Sequence, residues 1–326
     1  MESDFVCDDA TMSAGAGAPR PEISIIIRTK NEERFIRQTL EAVYQQDIDL
    51  PFEVIVIDSG SKDRTLELVR RHPVRLHEIQ AEAFSYGRAL NLGARSANGR
   101  YLINLSAHCI PTDNRWIANL LAELRADSEI AATYGGQVPI KGVNPFEERS
   151  LLATFTPDTN GDIRSPFSNS NCAIRKDIWE KFPFDEKASF GEDFIWSQML
   201  PGEYGIKYVP EAAVYHSHPL HLKYWAKRSY DNGVLAQYIQ HIYGFQYRWG
   251  IGGRRDVSKT AYWMKLLGAM GRQAYRCLQM LVFLIQSRYL KFVPVFPIFV
   301  VVEQYYYRKG LADGLRMYGK SGRPGS

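Results

Sequence analysis

The sequence predicts a doubly wound α/β domain, because short apolar strands alternate with helical patterns along its first third. Ile23–Ile27 and Val54–Ile57 are β-branched runs, which are typical of strands buried on both faces of a parallel sheet. Tyr101–Leu105 continues the alternation. Ligands of such sheets bind beyond the carboxyl ends of the strands, so the polar residues that follow each strand are the candidates for a site.

The composition limits the classes of function. The chain has 326 residues, of which 45% are hydrophobic, and its net charge is +4. These values are ordinary for a globular protein of one large domain or two smaller ones. The charge is too small to indicate a nucleic-acid partner, but it suits an anionic small substrate or a membrane surface. The four cysteines form no CxxC pair, which indicates reduced thiols in a cytoplasmic protein.

Three segments differ in character from the predicted α/β core. Residues 1–21 lack the basic start and apolar centre of a signal peptide, and we expect a disordered N-terminal lead there. Residues 144–170 are rich in Pro, Asn, Asp and Ser, which predicts a loop.

Residues 236–326 predict a C-terminal helical region with two apolar stretches, Trp263–Gln286 and Phe292–Val302. The second stretch has eleven residues and is too short for a transmembrane helix, which needs about twenty. The surrounding Tyr, Lys and Arg residues suit helices that lie in a membrane interface. A packed helical subdomain or a homodimer contact fits the same composition.

Two residues are candidates for nucleotide binding, one after a predicted strand and one in a predicted helix. Asp58 closes a buried strand and precedes a turn of small residues, so its carboxylate can accept hydrogen bonds from a base or ribose. Capping of the next helix explains an acid there equally well. Arg88 can pair with a phosphate, although an arginine on a solvated helix face is the plainer interpretation.

Three histidines are candidates for a metal site. His108 follows a strand, and His216 and His218 are two residues apart, so that both point the same way on an extended strand. Neutral imidazole coordinates transition metals well. For any one of them, a hydrogen-bonded structural histidine is the alternative.

Glu192 and Asp193 form an acidic pair at the start of a predicted helix. The helix dipole favours acids at that position whatever the function. A carboxylate held at the edge of a cleft can also remove the proton of an attacking hydroxyl.

The order of these motifs resembles the family-two glycosyltransferases, especially their rhamnosyltransferase-like branch. The resemblance covers about residues 22–235. The matching segments are 24–32, 54–65 (VIVIDSGSKDRT), 84–111, 168–175 (SNSNCAIR), 183–186 (PFDE), 191–193 (GED) and 208–218 (YVPEAAVYHSH).

The resemblance implies a GT-A fold over residues 22–235, with a doubly wound mixed sheet and helices on both faces, followed by the helical extension. It implies an inverting transfer from a nucleoside-diphosphate sugar to a hydroxyl of a glycan or lipid-linked acceptor, in the cytoplasm or at the inner face of the cell membrane. Asp193 would be the general base, with Glu192 in support. The residues that would bind the nucleotide sugar are Thr29, Asn31, Glu32, Asp58, Arg88, Asn91 and Asn171.

One departure from the family concerns the metal. The family has an Asp-x-Asp motif where this chain has Ser106, Ala107 and His108. Either His108 coordinates Mn²⁺ or Mg²⁺, alone or with His216 or His218, or bases and helix N-termini neutralise the leaving diphosphate. We favour a metal, and imidazole suits Mn²⁺ better than Mg²⁺.

Two other functions remain as alternatives. One is a catalytically altered nucleotide-sugar-binding protein that has lost its metal site, and retention of both Glu192 and Asp193 argues against it. The other is a sugar nucleotidyltransferase, which normally has a glycine-rich basic loop after the first strand. This chain has Arg28–Glu33 at that point.

Overall fold

The computed structural model describes residues 5–8, 20–156, 167–244 and 262–319. The chain divides into two compact units, the first comprising residues 1–138 and 165–216 and the second comprising residues 139–164 and 217–326. The second unit therefore begins before the domain boundary that the sequence placed at residue 235, which falls inside a helix of that unit.

Nine strands of the described residues form one mixed sheet. They are β1 (Phe5–Asp8), β2 (Ile23–Thr29), β3 (Phe52–Asp58), β4 (Arg75–Ile79), β5 (Tyr101–Ser106), β6 (Ile110–Pro111), β7 (Ile130–Pro139), β8 (Asn171–Arg175) and β9 (Gly205–His216). Their order across the sheet is β1-β4-β3-β2-β5-β8-β7-β9-β6. β4, β3, β2 and β5 are parallel, whereas β1 and β8 run antiparallel to their neighbours. The mixed sheet that the family resemblance implied is confirmed.

The α-helices of the described ranges include six that accompany the sheet and four that belong to the second unit. In chain order they are α1 (Ile36–Tyr44), α2 (Thr65–Val69), α3 (Tyr86–Ser96), α4 (Trp116–Ala126), α5 (Pro145–Phe155), α6 (Lys176–Lys181), α7 (Glu192–Met199), α8 (Leu222–Ile242), α9 (Tyr262–Gln286) and α10 (Phe296–Tyr318).

β2 shows why helices cover both faces of the sheet. Its alternate residues Ile25 and Ile27 are fully buried in a core that also contains apolar residues of α1, α2 and α4. Ile26 points the other way, towards α3. Gly93 of α3 lies so close that a Cβ atom there would be 2.5 Å from Ile26 Cγ2. The continuous apolar run is therefore explained by burial on both faces, as the sequence predicted.

The N-terminal lead departs in part from the prediction of disorder over residues 1–21. Phe5–Asp8 forms β1, which pairs antiparallel with β4 at the edge of the sheet, and Cys7 lies opposite His77. Phe and Val at its start are residues that favour strands. Most of the remaining lead lies outside the described residues.

The loop predicted for residues 144–170 is wrong in its first half, because α5 occupies Pro145–Phe155. The Asn144 side chain accepts a hydrogen bond from the backbone N–H of Glu147 at 3.2 Å, and Pro145 takes the first helical position. Asparagine at the N-cap and proline after it are signals of a helix start. Residues 157–166 lie outside the described ranges.

In the second unit, α8 and α10 approach each other through glycines. A Cβ atom on Gly233 would lie 2.3 Å from the carbonyl oxygen of Tyr307, and one on Gly310 would lie 2.1 Å from that of Tyr230. Only glycine permits backbones this close. The helical C-terminal region is thus present, and within the described ranges no helix combines the length and apolarity needed to cross a membrane.

Candidate active site

The carboxyl ends of β2, β3 and β5 meet at one edge of the sheet. The strand register places Thr29 opposite Asp58, and Arg28 opposite Ser106. The backbone N–H of Ala107 donates to the Arg28 carbonyl at 3.2 Å, which keeps the segments after β2 and β5 together. The Thr29 hydroxyl is buried and has no hydrogen-bond partner among the described residues. The polar residues that the sequence singled out are therefore neighbours in space.

Asp58 organises the turn after β3. Its Oδ1 atom accepts hydrogen bonds from the backbone N–H groups of Gly60 and Ser61 at 2.9 and 2.8 Å, and its Oδ2 atom accepts from the Ser61 hydroxyl at 2.5 Å. The side chain is fully buried. Since α2 begins only at Thr65, Asp58 shapes the loop and does not cap the helix.

The loop after β2 is bound to the loop after β3. Asn31 has a positive φ of 54° and accepts a hydrogen bond from the Lys62 N–H at 2.7 Å. Its own N–H donates to the Ser61 hydroxyl at 2.8 Å, and the Glu32 N–H donates to the Thr65 hydroxyl at 2.7 Å. These bonds fix both loops at the strand ends.

His108 and His216 face each other. Their Nε2 atoms are 3.2 Å apart and their rings are stacked with centroids 5.1 Å apart. On the far side of each ring, His108 Nδ1 lies 2.8 Å from Glu32 Oε1, and His216 Nδ1 lies 2.7 Å from Gln137 Oε1. A carboxylate and an amide oxygen only accept hydrogen bonds, so each Nδ1 carries the proton.

This tautomer leaves a lone pair on each Nε2 atom of the neutral rings. Two lone pairs 3.2 Å apart repel unless a proton or a cation lies between them. Two nitrogens that bind one ion at about 2.1 Å each are themselves about 3.0–3.4 Å apart, so the observed spacing fits a shared metal. The Glu32–His108 pair is also the carboxylate–imidazole arrangement that orients metal ligands. The donor set of His108 and His216 therefore fits a divalent transition metal.

His218 belongs to the second unit. Its Nδ1 atom lies 2.7 Å from Glu147 Oε1, and its backbone N–H donates to Glu147 Oε2 at 2.6 Å. Its ring stacks on Tyr224 with centroids 5.0 Å apart. The carboxylate of Glu147 thus holds both the backbone and the ring of this histidine.

Glu192 and Asp193 lie in the first turn of α7, directly after Gly191, which has a φ of 78°. The Asp193 carboxylate accepts hydrogen bonds from the N–H groups of Phe194 at 2.8 Å and Asn169 at 3.3 Å. Glu192 is buried and accepts from the Asn169 side-chain amide at 3.3 Å. Asp193 is only half-buried, so it is the acid of this pair that a substrate can reach.

Burial has the largest effect on the pKa values of Glu192 and Asp193. Burial, and then the charge of Asp193, raises the pKa of Glu192 to about 7. Burial also raises the pKa of Asp193, against the hydrogen bonds from Phe194 and Asn169 that lower it. The nearby Arg28 guanidinium lowers the pKa of both acids. Glu192 therefore carries a proton for much of the time near neutral pH.

Arg28 was not among the predicted site residues. Its Nη1 atom lies 3.7 Å from Glu192 Oε1, and its guanidinium carbon lies 4.8 Å from the centre of the Tyr86 ring. The side chain is 10% exposed, and its Nε and Nη1 atoms have no hydrogen-bond partner among the described residues. The sequence feature that could have identified Arg28 is its position near the end of a predicted strand rich in isoleucine.

Two predicted binding residues are hydrogen-bonded to other residues of the fold. The Asn91 amide nitrogen donates to the Phe184 carbonyl and to Glu186, both at 2.9 Å, and its oxygen accepts from Trp179 Nε1 and the Phe184 N–H. Asn91 is 2% exposed. Its hydrogen-bonding capacity is thus used within the fold, and its role in binding the nucleotide sugar stays a prediction.

Asn171 is likewise used within the fold. Its oxygen accepts from Trp116 Nε1 at 2.8 Å, and its nitrogen donates to the carbonyls of Gly136 and Ala212 at 3.2 and 2.8 Å. It is fully buried. Asn171 joins β7, β8 and β9, and its role in binding the nucleotide sugar also stays a prediction. Arg88 is half-buried on α3 and donates to the Ala83 carbonyl at 3.3 Å.

Comparison with known proteins identifies the family. The model of glycosyl transferase family 2 matches residues 24–182. The chain is 31% identical to the O-antigen chain rhamnosyltransferase RfbN of Salmonella typhimurium over 249 residues, which is 71% of this chain and 77% of that protein. It is 26% identical to the O-antigen chain rhamnosyltransferase WbaN of Salmonella anatum over 249 residues, or 72% and 77% of the two chains.

Among solved structures, the fold is similar to that of the mannosyltransferase PcManGT from Pyrobaculum calidifontis in complex with GDP-Man and Mn²⁺. The TM-score is 0.54 at 18% identity, over 93% of this chain and 89% of that chain. This likeness confirms the predicted GT-A fold, with its mixed sheet and a C-terminal helical region. The chain therefore belongs to family 2 of the glycosyl transferases and is a glycosyltransferase of the rhamnosyltransferase-like type.

Proposed function

We propose that this glycosyltransferase takes its sugar from a nucleoside-diphosphate sugar and transfers it with inversion to a hydroxyl group. Asp193 removes the proton of the acceptor hydroxyl while the hydroxyl oxygen forms a bond to the anomeric carbon. The bond between that carbon and the diphosphate oxygen breaks, and the nucleoside diphosphate leaves. A single displacement of this kind inverts the configuration of the carbon.

The observation that carries this proposal is the half-buried Asp193 at the head of α7, beside a buried acid and a buried cation. Two backbone N–H groups hold its carboxylate in one orientation. Burial raises its pKa, and a carboxylate with a raised pKa is a stronger base than an exposed aspartate. Glu192 supports it by keeping Asn169 in place.

We propose that the donor lies against the strand-end loops, with Thr29, Asn31, Asp58 and Arg88 around its nucleotide. The orphan Thr29 hydroxyl supports this, because a buried hydroxyl without a partner gains a hydrogen bond when a ligand enters. We assign Glu32 a different role from the predicted one. Its carboxylate orients His108, so it acts on the metal site.

We propose that His108 and His216 hold a divalent ion, Mn²⁺ in preference to Mg²⁺, since the donors are nitrogens. Once bound, such an ion offsets the negative charge that develops on the leaving diphosphate. The solved neighbour PcManGT carries GDP-Man with Mn²⁺, which supports the pairing of such a donor with that ion in this fold. The predicted participation of His218 stays a prediction.

We propose that the acceptor is a hydroxyl of a glycan or a lipid-linked glycan, and that the enzyme works in the cytoplasm at the inner face of the membrane. Support comes from the two Salmonella relatives, which are named for O-antigen chain assembly. Rhamnose is the first donor sugar to test for the same reason.

The Asp193→Asn variant tests the base. We expect it to bind the nucleotide sugar as the wild type does but to lose transfer by a factor of about 10²–10⁴, the usual contribution of a general base. Donor binding is measured by calorimetry and transfer by release of nucleoside diphosphate. The anomeric configuration of the product, read by NMR, tests inversion.

Asp177→Asn is the matched control, because Asp177 is also an acid in the first turn of a helix, α6, but is exposed. It should leave transfer unchanged. Unchanged transfer in Asp193→Asn would remove Asp193 from the mechanism. Donor binding without any transfer by the wild type would favour a nucleotide-sugar-binding protein, and release of pyrophosphate would favour a nucleotidyltransferase.

A further inference from the structure

The segment between α9 and α10 exposes large apolar side chains on a well-packed framework. Ile285 near the end of α9 is 53% exposed, and Leu290 in the following 3₁₀ turn is 61% exposed. Ile298 in the first turn of α10 is 52% exposed. Their sequence neighbours Leu284 and Phe299 are buried in an apolar cluster. The exposed residues are thus the outward side of an ordered corner.

The exposed residues extend along one face of each helix. On α9 they recur after four and three positions, and on α10 after three positions, which is the spacing of a single helix face. We define the corner surface by these six residues: Leu278, Val282, Ile285, Leu290, Ile298 and Val301.

The charged residues in the chain segment that carries the corner surface are bases. Between Asp256 and Glu303 the sequence contains no acidic residue. Arg288 and Lys291 are exposed in the same segment, beside Leu290 in sequence. An apolar face bordered by bases is complementary to a partner that offers both hydrocarbon and negative charge.

We propose that the corner surface binds the surface of an anionic lipid bilayer. The exposed Ile and Leu side chains enter the boundary between head groups and acyl chains, and the bases contact lipid phosphates. A second copy of this chain is a poorer occupant, because a twofold contact would bring the bases of both copies together. None of the described helices can span the membrane, so the contact is interfacial. The proposal does not depend on the donor, the acceptor or the catalytic base.

The experiment is vesicle co-sedimentation of the full chain, with phosphatidylcholine alone and with phosphatidylcholine mixed with phosphatidylglycerol. We expect binding to the mixed vesicles only, weakened by salt. In the double variant Arg288→Gln/Lys291→Gln, affinity should fall about 25-fold, since each base near the surface contributes about 1 kcal/mol. In Leu290→Ser/Ile298→Ser, it should fall at least tenfold because less apolar area is buried.

Matched controls lie on the first unit. Lys181→Gln/Lys187→Gln removes the same charge from exposed positions, and Met199→Ser removes an apolar side chain that is 52% exposed. Both should bind like the wild type. Equal binding to both kinds of vesicle would overturn the proposal. An equal loss of vesicle affinity in the corner variants and in the controls would also overturn it.

Light scattering tests the alternative occupant of the corner surface, which is a second copy of this chain. A dimer that is lost in Leu290→Ser would identify the corner surface as a contact between copies and overturn the membrane assignment. Circular dichroism checks that the variants are folded. Transfer to a soluble acceptor should survive in every corner variant, so failure of this proposal is distinguishable from failure of the proposed reaction.

Discussion

At the scale of single residues, the chemistry of the candidate site depends on one buried cation near two acids. Arg28 contributes its charge without a close hydrogen-bonded ion pair, since 3.7 Å separates Nη1 from Glu192 Oε1. Burial raises the pKa values of Glu192 and Asp193, and Arg28 opposes that rise. The fraction of ionised Asp193 at a given pH therefore depends on Arg28.

The Arg28→Met variant tests this dependence. Methionine keeps an unbranched apolar side chain but removes the charge, so the pKa of Asp193 should rise further above its ordinary value. A base with a higher pKa becomes protonated at higher pH, so the acidic limb of the kcat/KM profile should move towards alkaline pH. The measurement is transfer across the pH range.

Arg28→Lys is the control, because it retains the positive charge. Its acidic limb of the kcat/KM profile should stay close to that of the wild type. A loss of activity in Arg28→Met by the same factor at every pH would indicate a structural role only.

The sequence could locate the site residues but not assign all their roles. Asp193 and His108 follow helix-start and strand-end patterns that are local, so their positions were predictable. The roles of Asn91 and Asn171 depend on partners far along the chain, such as Phe184 and Ala212. No local pattern shows whether a buried amide is satisfied by such distant groups.

At the scale of elements, the sequence predicted secondary structure correctly where burial sets the spacing of apolar residues. It failed where the prediction used only the composition of a segment. The isoleucines of β2 point to both of its faces because both faces are covered, and the sequence shows this directly. α5 was taken for a loop because residues 144–170 are polar. Asn144 and Pro145 were in fact the N-terminal signals of a helix, and position within the motif was more informative than composition.

The close contact between α8 and α10 can be tested with a Gly→Ala variant, because the contact determines whether the variant gains or loses stability. At an open helical position, Gly→Ala stabilises by about 1 kcal/mol. At Gly310 a Cβ atom would lie 2.1 Å from the Tyr230 carbonyl oxygen, which belongs to the backbone and cannot move alone. We therefore expect Gly310→Ala to lower the free energy of unfolding by about 1–3 kcal/mol, as overpacking does. Urea denaturation followed by circular dichroism measures it.

Gly202→Ala is the control for that variant, because a Cβ atom there would meet nothing within 4 Å. Its free energy of unfolding should stay within about 0.5 kcal/mol of the wild type. Stabilisation in Gly310→Ala would contradict the close helix contact.

At the scale of the whole molecule, the two facing histidines join chain segments that are far apart in sequence. His108 follows β5 and His216 ends β9, and each ring is already oriented by an oxygen acceptor. An ion that binds these rings binds the folded chain only, because the unfolded chain does not bring them together. Metal binding should therefore appear as global stability.

We expect Mn²⁺ to raise the thermal midpoint of unfolding relative to EDTA, since a ligand at 100 times its Kd stabilises the folded state by about 2.7 kcal/mol. His216→Ala should abolish that rise, because one imidazole alone is a weak site. His241→Ala, which removes a histidine of α8 that bonds to the Gln237 carbonyl, should keep it. The midpoint is followed by fluorescence in matched buffers with Mn²⁺, Mg²⁺ or EDTA, and Mg²⁺ should have the smaller effect because it prefers oxygen donors. An equal Mn²⁺-dependent rise in wild type and His216→Ala would place the ion elsewhere in the molecule.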